Sequence, residues 1–371
     1  MKSALLHYWL TNVRGGEKVL AALAELLPDA DLFTHAYRPE RFGEPSRGSL
    51  WGHRVTESFI AGLPLGRRKP QAYLPLMPAA SRSLRLEGCD LIVSSESGPI
   101  KGIRKPAGAR HVCYCHTPMR YLWDMHDEYF RAAGICGKVA MGLFTHYLRK
   151  EDLKSAECVD DFVANSEFVA ERIRRIYGRE SVVVHPPVDV GFFSFGEPAS
   201  APFAPGEYYL CAGELLDYKR PDLAVDAALA SNRNLVVVGN GGLRAALERK
   251  AAGRSNVVFE GRVSDERLRS LMAGAKALVF PGVEDFGIVP VEAQAAGTPV
   301  LAFGAGGALE TVREGETGVF FREGSVQALC AALEELESRK WSADICRGNA
   351  ERFSRGAFAA GMGRVIGGSA A

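Results

Sequence analysis

Two successive series of short apolar runs, each alternating with helical patterns, are the feature that most constrains the fold of this 371-residue chain. A short apolar run bounded by turn residues is typical of a buried strand, and strands that alternate with helices predict a parallel sheet with helices on both faces. Strands are predicted at 4–8, 31–34, 90–94, 111–115, 159–165 and 182–185 in the first series, and at 208–212, 235–238, 257–259, 277–280 and 300–303 in the second. The predicted fold class is therefore α/β.

The adjacent prolines Pro186 and Pro187 separate the two series. A chain of this length suits two domains of ordinary size. We therefore predict two Rossmann-like α/β domains, at 1–188 and 189–348, whose parallel sheets face a central cleft. In open parallel sheets, ligands bind beyond the carboxyl ends of the strands, so the loops that follow the strands are expected to line that cleft.

The charges of the chain are unevenly distributed. From residue 59 to 150 there are fourteen Lys and Arg against six Asp and Glu, a surplus of eight, although the whole chain carries a net charge of only +1. This basic stretch contains apolar patches at 63–65 and 73–78, a combination that favours peripheral contact with an anionic lipid headgroup. A solvated basic surface is the alternative. No nucleic-acid reader motif accompanies it, so nucleic acid is not an expected partner.

The sequence predicts a cytoplasmic protein. No apolar run approaches the ~20 residues that a helix needs to cross a bilayer. The first residues, Met1 to Trp9, soon give way to polar ones and predict a strand rather than a signal peptide. Any membrane contact is therefore expected to be peripheral, at the inner face of the cell membrane.

The segment from Glu284 to Glu292, EDFGIVPVE, has the pattern of a site for a sugar joined to a phosphate. It follows the predicted strand 277–280, and a helix should begin near Ile288 because Pro290 suits a first helical turn. The free amides of such a turn bind anions, and Gly287 allows the backbone to approach a phosphate closely. Two carboxylates would repel a bare phosphate but accept hydrogen bonds from hydroxyls. A nucleotide sugar has both kinds of group.

Glycines and basic residues follow other predicted strands. Gly15 and Gly16 open a helix after the first strand and can back a phosphate or a sugar, although a plain tight turn is the simpler explanation. Lys219 and Arg220 follow the first strand of the second domain. Two cations there can neutralise the charge that develops on a departing diphosphate; a surface pair of cations is the alternative.

His116 stands at the end of the predicted strand 111–115. It is followed by polar and aromatic residues that suit contacts with a sugar, namely Arg120, Trp123 and Asp124. We therefore predict a ligand site around His116, against the alternative of a structural histidine.

Two further patterns are expected to be structural. The eight cysteines form no CxxC pair, so reduced cysteines inside the fold are expected. Asp29 and Asp31 match a short acidic pattern that can hold a metal, but they lie between a helix and a strand, where such residues are typical of turns. Neither a metal site nor a cofactor is predicted.

Together these motifs resemble those of retaining glycosyltransferases of the GT-B fold, in the large bacterial family 4 that includes mannosyltransferases of surface polysaccharide synthesis. The resemblance extends over nearly the whole chain, and its most specific element is the paired-glutamate segment 284–292. The other motifs in the family's order are Gly15-Gly16-Glu17, His116-Thr-Pro, 164–170 and Tyr218-Lys-Arg. The resemblance implies an acceptor-side first domain, a nucleotide-sugar-binding second domain, and a terminal helix within 349–371 that crosses back to the first domain.

The resemblance also implies roles for individual residues. In the catalytic set, His116 would lie near the reaction centre, Lys219 on the diphosphate and Glu284 on the hydroxyls of the transferred sugar. The residues that would bind the donor are Gly15, Gly16, Arg220, Phe286, Gly287, Ile288, Val289 and Glu292. Within that set, 286–289 would offer backbone amides and Glu292 would hold the ribose. The candidates on the acceptor side are Arg120, Trp123 and Asp124.

One position departs from the family's pattern. Many members have an arginine in a Gly-Arg-Leu turn that pairs with the lysine on the diphosphate, whereas this chain has Glu214 there. A carboxylate cannot replace that cation. Either Arg220 supplies the second charge, or the leaving group is less stabilised, or the donor is held differently.

The implied reaction transfers a hexose from a GDP- or UDP-linked sugar with retention at the anomeric carbon and without a metal. The best single expectation is mannose from GDP-mannose, transferred to a lipid-linked or growing glycan in bacterial surface polysaccharide synthesis. The alternatives are a sugar-nucleotide epimerase of the same fold and a non-catalytic scaffold that binds a sugar nucleotide. Glu214 is the sequence feature that supports the scaffold.

Overall fold

The computed structural model describes residues 2–44, 48–196, 198 and 202–368, and it divides the chain into two compact units. The first unit runs to His185 and includes the chain again from Ala359, and the second spans Pro186–Phe358. Each unit is an α/β structure with a mainly parallel sheet, which confirms the predicted fold class. The sequence places the boundary at 188 and the returning segment at 349–371, whereas in the structure residues up to Phe358 pack with the second unit.

The first unit contains an eight-stranded sheet. Its strands are β1 (Ser3–His7), β2 (Asp31–Thr34), β3 (Ser49–Leu50), β4 (His53–Glu57), β5 (Leu91–Glu96), β6 (Arg110–Cys115), β7 (Asp161–Ala164) and β8 (Ser181–Val183). Its helices are α1 (Gly15–Leu26), α2 (Met77–Ser83), α3 (His126–Ala132), α4 (Ile135–Ala156) and α5 (Glu167–Tyr177), with short 3-10 helices at Pro39–Arg41, Phe59–Gly62, Pro70–Leu76 and Pro99–Lys101.

The second unit contains a six-stranded sheet. Its strands are β9 (Tyr209–Ala212), β10 (Leu235–Val238), β11 (Val257–Gly261), β12 (Ala277–Phe280), β13 (Val300–Phe303) and β14 (Gly318–Phe321). Its helices are α6 (Val190–Ser194), α7 (Pro221–Ser231), α8 (Arg244–Lys250), α9 (Asp265–Gly274), α10 (Ile288–Ala295), α11 (Ala308–Thr311), α12 (Val326–Glu337) and α13 (Ala343–Ala350), with 3-10 helices at Asp217–Lys219 and Glu351–Phe353. The last helix, α14 (Arg355–Ile366), begins in the second unit and continues in the first.

The order of the strands determines where a ligand can bind. The first sheet has the order β3-β4-β2-β1-β5-β6-β7-β8 and the second has β11-β10-β9-β12-β13-β14. Neighbouring strands are parallel except β3 and β4. In the first sheet, β2 and β4 lie on one side of β1, and β5 to β8 lie on the other side. In the second sheet, β10 and β11 lie on one side of β9, and β12 to β14 lie on the other side. The strand order therefore reverses between β1 and β5 and between β9 and β12. At such a reversal the loops after the two strands diverge and leave a crevice at the carboxyl edge of the sheet.

Every predicted strand is present, with ends that differ from the prediction by at most two residues. The short pair β3 and β4 and the edge strand β14 were not predicted from the sequence. β4 has the sequence HRVTE, which is largely polar, and β14 begins with a glycine, so neither has the composition of a typical buried strand.

Both faces of the second sheet are covered by apolar packing. Leu210 and Leu278 belong to the cluster on one face, while Tyr209 and Val279, their neighbours along β9 and β12, belong to the cluster on the other. Burial on both faces explains why these strands are continuous apolar runs rather than alternating ones. No helix in the described ranges has both the length and the apolar character that crossing a bilayer requires.

A buried ionic cluster joins several elements of the first unit. Lys101 is 1% exposed, and its Nζ lies 2.6 Å from Asp152 Oδ1 and 3.0 Å from Glu96 Oε1. Asp152 also accepts hydrogen bonds from the Tyr177 hydroxyl at 3.0 Å and from Trp123 Nε1 at 2.8 Å. Burial by itself would lower the pKa of Lys101, but the two carboxylates outweigh it and raise the pKa. The cluster therefore fixes α4, α5 and the loop after β6 against β5.

Replacing Asp152 by Ala, or Lys101 by Met, should destabilise the first unit by about 3–5 kcal/mol, because each change leaves a buried charge without its partner. Hydrogen exchange of the β5 and α4 amides measures this loss within the first unit. Arg174→Ala is the matched control, since it removes an ion pair with Glu180 in which both side chains are exposed, and it should change the exchange little. Equal effects of the buried and exposed substitutions would contradict the prediction.

Candidate functional site

The predicted donor residues of the second unit lie mainly at the carboxyl ends of β9 and β12, where the strand order reverses. After β9 the chain forms the 3-10 helix Asp217–Lys219. After β12 it passes through a loop to α10, which begins at Ile288 as predicted. Parallel strands end at the same edge of the sheet, so Lys219 and Glu284 meet although they are far apart in the sequence.

Lys219 and Glu284 form an ion pair, with 2.8 Å between Nζ and Oε1. The two side chains are 20% and 21% exposed, so the pair is enclosed but reachable from solvent. Burial by itself would lower the pKa of Lys219, but Glu284, with Tyr218 and Glu214, outweighs it and the pKa is raised. Lys219 is therefore a cation at neutral pH, held at the wall of a small pocket that Glu284 and Glu214 also line.

Two glycines make this arrangement possible. A Cβ atom at Gly282 would lie 2.5 Å from Lys219 Cα, so no other residue allows the two loops to approach so closely. Gly287, which precedes α10, has a φ of +86°, in the left-handed region that favours glycine. The carbonyl of Glu284 accepts a hydrogen bond from the Gly307 amide at 2.9 Å, which holds the loop from its other side.

The remaining predicted donor residues lie on the same loop and on α10. Phe286 is 3% exposed and packs in the core, so its side chain anchors the loop. Ile288 and Val289 are partly buried against that core at the start of α10. Glu292 is one turn further along the helix and only 6% exposed. The two glutamates therefore differ: Glu284 faces the pocket with Lys219, and Glu292 is largely enclosed.

The cations around this pocket are few. Arg220 adopts a left-handed φ of +51°, and its Nε lies 3.1 Å from Oδ1 of Asp222 on α7. Glu214, at the position where many family members have arginine, is exposed. Of the described residues that line the pocket, Lys219 is the one cation, and Glu214 and Glu284 are the two carboxylates.

In the first unit, the predicted residues Gly16 and His116 lie together. A Cβ atom placed on Gly16 would be 3.6 Å from His116 Nε2, 3.7 Å from His7 Cε1 and 3.8 Å from the Tyr8 hydroxyl. Gly15 and Gly16 form the start of α1, and His116 directly follows β6. The missing side chain at Gly16 therefore leaves a space that three polar side chains border.

Hydrogen bonds fix His116 on three sides. Its Nε2 lies 2.9 Å from Ser95 Oγ, its amide donates to the Glu96 carbonyl at 2.9 Å, and its carbonyl accepts from Asn165 Nδ2 at 2.9 Å. Desolvation, together with the nearby His7, lowers the pKa of His116 to about 3. The imidazole is therefore neutral at physiological pH and acts as a hydrogen-bonding group rather than a cation.

Two buried polar groups lie beside Gly16. His7 is fully buried, and among the described residues neither of its ring nitrogens has a hydrogen-bond partner. Its Nε2 lies 3.7 Å from Glu17 Oε1, while Glu17 Oε2 accepts from the Arg14 amide at 2.9 Å. Burial by itself would raise the pKa of Glu17, but His7 and the backbone amide outweigh it and lower the pKa. Glu17 is therefore a buried carboxylate anion at the start of α1.

The three acceptor-side candidates lie in the loop after β6, where Trp123 and Asp124 make the following contacts within the first unit. Trp123 donates its indole N–H to Asp152. Asp124 forms ion pairs with Arg172 at 2.7 Å and Arg175 at 2.5 Å on α5. Arg120 is partly exposed in the same loop. These contacts hold the loop in one conformation beside His116.

His7, Tyr8 and Ser95 were not predicted as site residues. His7 and Ser95 belong to the last residues of β1 and β5, and Tyr8 follows β1 directly. Polar residues at the ends of the predicted strands were the available signal. The sequence does not show that β1 and β5 are neighbours, so it does not show that these side chains meet.

Of the acidic residues Asp29 and Asp31, Asp31 is the first residue of β2 and is paired within the fold. Both carboxylate oxygens of Asp31 accept hydrogen bonds from Arg54, at 3.0 and 2.7 Å. Within the part of the chain that the structure describes, no cluster of three or more His, Cys, Asp or Glu side chains could hold a metal ion.

Two family models match the chain one after the other. The model described as Glycosyltransferase Family 4 matches residues 13–192, and the model described as Glycosyl transferases group 1 matches residues 198–353. The first match covers most of the first unit and continues into the start of the second, the second match lies within the second unit, and together they cover most of the chain.

The chain is also similar to proteins named D-inositol 3-phosphate glycosyltransferase. It is 33% identical over 215 residues to the one from Nocardiopsis dassonvillei, covering 51% of this chain and 50% of that protein. It is 34% identical over 212 residues to the one from Streptomyces avermitilis, covering 50% of this chain and 46% of that protein. The match thus spans about half the length of these relatives.

Solved structures match over the whole length. Sucrose-phosphate synthase from Thermosynechococcus elongatus has a TM-score of 0.75 at 18% identity, covering 99% of both chains. Anabaena HepE in complex with UDP has a TM-score of 0.70 at 19% identity, covering 99% of this chain and 100% of that one. At these identities the likeness establishes the fold. Because two family models follow one another along a chain with this fold, the chain belongs to the family 4 glycosyltransferases of the GT-B fold.

Proposed function

We propose that the chain is a retaining glycosyltransferase that transfers a hexose from a nucleotide sugar. The ion pair of Lys219 and Glu284 before α10 is the observation that carries this proposal. It combines, at one edge of a sheet, a cation for a diphosphate, an acceptor for sugar hydroxyls and the free amides of a helix start. Family membership supports the same reaction class.

A nucleotide sugar can exchange this ion pair for two contacts of its own. Its diphosphate is a partner for Lys219 Nζ, and its sugar hydroxyls are partners for the Glu284 carboxylate. Before a donor binds, the positive charge of Lys219 and the negative charge of Glu284 neutralise each other. Neither group is therefore without a partner before binding. In the reaction, Lys219 would face the diphosphate as its negative charge grows, with the amides of 286–289 adding to the stabilisation.

The proposed site depends strongly on this one lysine. Arg220 donates a hydrogen bond to Asp222. Glu214 adds a negative charge to the pocket at a position where many family members have a positive one. Lys219 would therefore supply most of the electrostatic stabilisation of the leaving group. Arg220 is the nearest candidate in the sequence for a second contact.

The proposed stereochemical outcome is retention. The acceptor hydroxyl would attack on the face from which the diphosphate departs, and the leaving phosphate would take its proton. His116, as a neutral imidazole, would hydrogen-bond the sugar near the reaction centre. The anomeric configuration of the product, measured by NMR, tests this step by itself: an inverted product would refute retention without refuting glycosyl transfer.

The proposed donor and acceptor follow the sequence expectation. Among the similar structures, one is named a lipopolysaccharide outer core galactosyltransferase and another is in complex with UDP-glucose. These names support a hexose donor and a glycan acceptor. We propose GDP-mannose as the first donor to test, with UDP-glucose and UDP-galactose in the same panel. The proposed acceptor is a lipid-linked or growing surface glycan, which a cytoplasmic enzyme would meet at the inner face of the cell membrane.

Replacing Lys219 by Ala should reduce kcat/KM by about 10²–10³-fold, because the cation opposite the leaving diphosphate is lost. Glu284→Gln should also reduce turnover, since an amide is a weaker acceptor for sugar hydroxyls than a carboxylate. Donor-dependent transfer and hydrolysis, measured with the nucleotide-sugar panel, check both variants.

Lys250→Ala is the control, because Lys250 pairs with Asp226 on the surface of the same unit. It should leave turnover unchanged. Full activity of the Lys219→Ala variant would contradict the proposed mechanism. Wild-type protein that binds a donor without turnover would instead indicate a scaffold, and conversion of the donor with no acceptor present would indicate an epimerase.

Gly16→Ala should impair donor binding without impairing the fold. The added methyl group would meet its neighbours at 3.6–3.8 Å, which is ordinary contact, and Ala favours a helix over Gly by about 1 kcal/mol. If the space beside His116 receives the donor, the methyl group should raise its KM by about tenfold or more. Thermal unfolding and donor titration separate the two effects. Gly363→Ala in α14, where a Cβ meets nothing within 4 Å, is the control.

His116 should not contribute an inflection to the pH dependence of kcat/KM between about pH 5.5 and 8.5, because its pKa is lowered to about 3 and the ring stays neutral over that range. His116→Ala should lower kcat by about ten- to a hundredfold through the lost hydrogen bond. His116→Gln, which keeps a neutral donor and acceptor, should retain more activity with a profile of the same shape. An inflection near neutral pH that the Gln variant lacks would show that His116 titrates.

A further inference from the structure

The first half of α4 exposes large apolar side chains along one side. Ile135, Val139 and Leu143 are 83%, 57% and 69% exposed, and they are spaced four residues apart, which places them along one face of the helix. Tyr147 on the same helix and Phe130 on α3 are 39% and 37% exposed. A soluble monomer rarely exposes so many large apolar side chains on one element, so this surface indicates a contact partner.

The charged side chains of α4 before Glu151 are all basic, and the exposed carboxylates Asp127 and Glu128 lie on the preceding helix α3. From residue 129 to 150 the chain has no Asp or Glu, and it has four basic residues, Arg131, Lys138, Arg149 and Lys150. Arg149 donates to the Leu122 carbonyl at 2.6 Å, which ties it to the fold. Lys138 Nζ lies 5.9 Å from the centre of the Phe130 ring, so positive charge and apolar surface adjoin.

The exposed half of α4 is attached to a firmly anchored half. From Leu148 onward the helix packs against Met119 and Leu122, and its Asp152 belongs to the buried cluster around Lys101. The preceding half contains Gly137 and Gly142 and has no buried residue. Helices gain most of their stability from packing an apolar face, and glycines lower helix propensity further. An apolar partner would therefore stabilise this half of the helix.

The charge pattern distinguishes between partners. An anionic bilayer offers headgroup phosphates to basic side chains and acyl chains to an apolar helix face. A second copy that packed its α4 against this α4 would bring the same basic side chains toward one another, and α4 has no carboxylate before Glu151 to pair with them.

We infer that the surface formed by 135–147 of α4 and Phe130 is a membrane-contact surface that lies in the headgroup region of an anionic bilayer. Ile135, Val139 and Leu143 enter the acyl boundary, and Arg131, Lys138 and Lys150 contact the headgroups. The inference rests on the membrane contact in the proposed function, but it does not depend on catalysis, because vesicle binding is measured without donor or acceptor.

The test is co-sedimentation of the full chain with mixed phosphatidylglycerol–phosphatidylcholine vesicles and with pure phosphatidylcholine vesicles. The wild-type protein should bind the anionic vesicles, and binding should weaken as salt screens the charges. The I135S/L143S variant should bind at least about tenfold more weakly, since two buried apolar side chains are lost. The R131Q/K138Q/K150Q variant should bind about a hundredfold more weakly, at roughly fivefold per basic side chain.

Matched controls come from exposed residues elsewhere. L309S/I345S removes two apolar side chains of the second unit that are 53% and 47% exposed. R249Q/K340Q/R364Q removes three exposed basic residues from other helices and loops. Both controls should bind like the wild type, and circular dichroism and thermal unfolding should show all four variants folded.

Three results would overturn the inference. The first is no binding of the wild-type protein to anionic vesicles at any salt concentration. The second is an equal loss of binding in the α4 variants and in the controls. The third is conversion of a dimer into a monomer by I135S/L143S, seen by light scattering, without a change in vesicle binding. The last result would assign the surface to a second copy of the chain. None of these results bears on turnover, so they are separable from failure of the proposed glycosyl transfer.

Discussion

The parallel direction of the strands is the constraint on which both candidate sites depend. Parallel strands bring their carboxyl ends to one edge of a sheet, and a reversal of strand order opens a crevice there. In the second unit this edge receives Lys219 after β9 and Glu284 after β12. In the first unit it receives His7 at the end of β1 and Ser95 at the end of β5, with His116 following β6. Each site is formed by loops that are far apart in the sequence.

Two lysines show how burial separates a structural ion pair from one suited to binding. Lys101 is 1% exposed and is held between two carboxylates, one of which also accepts hydrogen bonds from Tyr177 and Trp123. A ligand cannot displace these contacts without leaving charges buried. Lys219 forms its ion pair with Glu284 and is 20% exposed, so an anion from solvent can reach it. The ion pairs of Lys101 therefore stabilise the fold of the first unit, whereas the ion pair of Lys219 in the second unit can be replaced by contacts with a ligand.

The site could be predicted where a motif is contiguous. The end of β12, the loop and the start of α10 at Ile288 follow one another in the chain, and the turn chemistry of glycine and proline identified each of them. Residues whose role depends on a distant neighbour were harder to interpret. From the sequence, Trp123 and Asp124 were predicted to contact a sugar. In the structure, Trp123 donates a hydrogen bond to Asp152, and Asp124 forms ion pairs with two arginines of α5. No local pattern shows where such a partner will lie.

Local periodicity and turn chemistry were enough to predict the α/β class, the positions of the predicted strands to within two residues, and the residue types at the ends of β9 and β12. The tertiary structure was needed for the strand order, and with it for the contact of Lys219 with Glu284 and the convergence of His7 and His116 on Gly16. It also decided that Ile135, Val139 and Leu143 remain exposed. Strand order and burial result from long-range packing. The spacing of apolar residues along a helix does not distinguish a face that packs inside the unit from one that is exposed for contact with a partner.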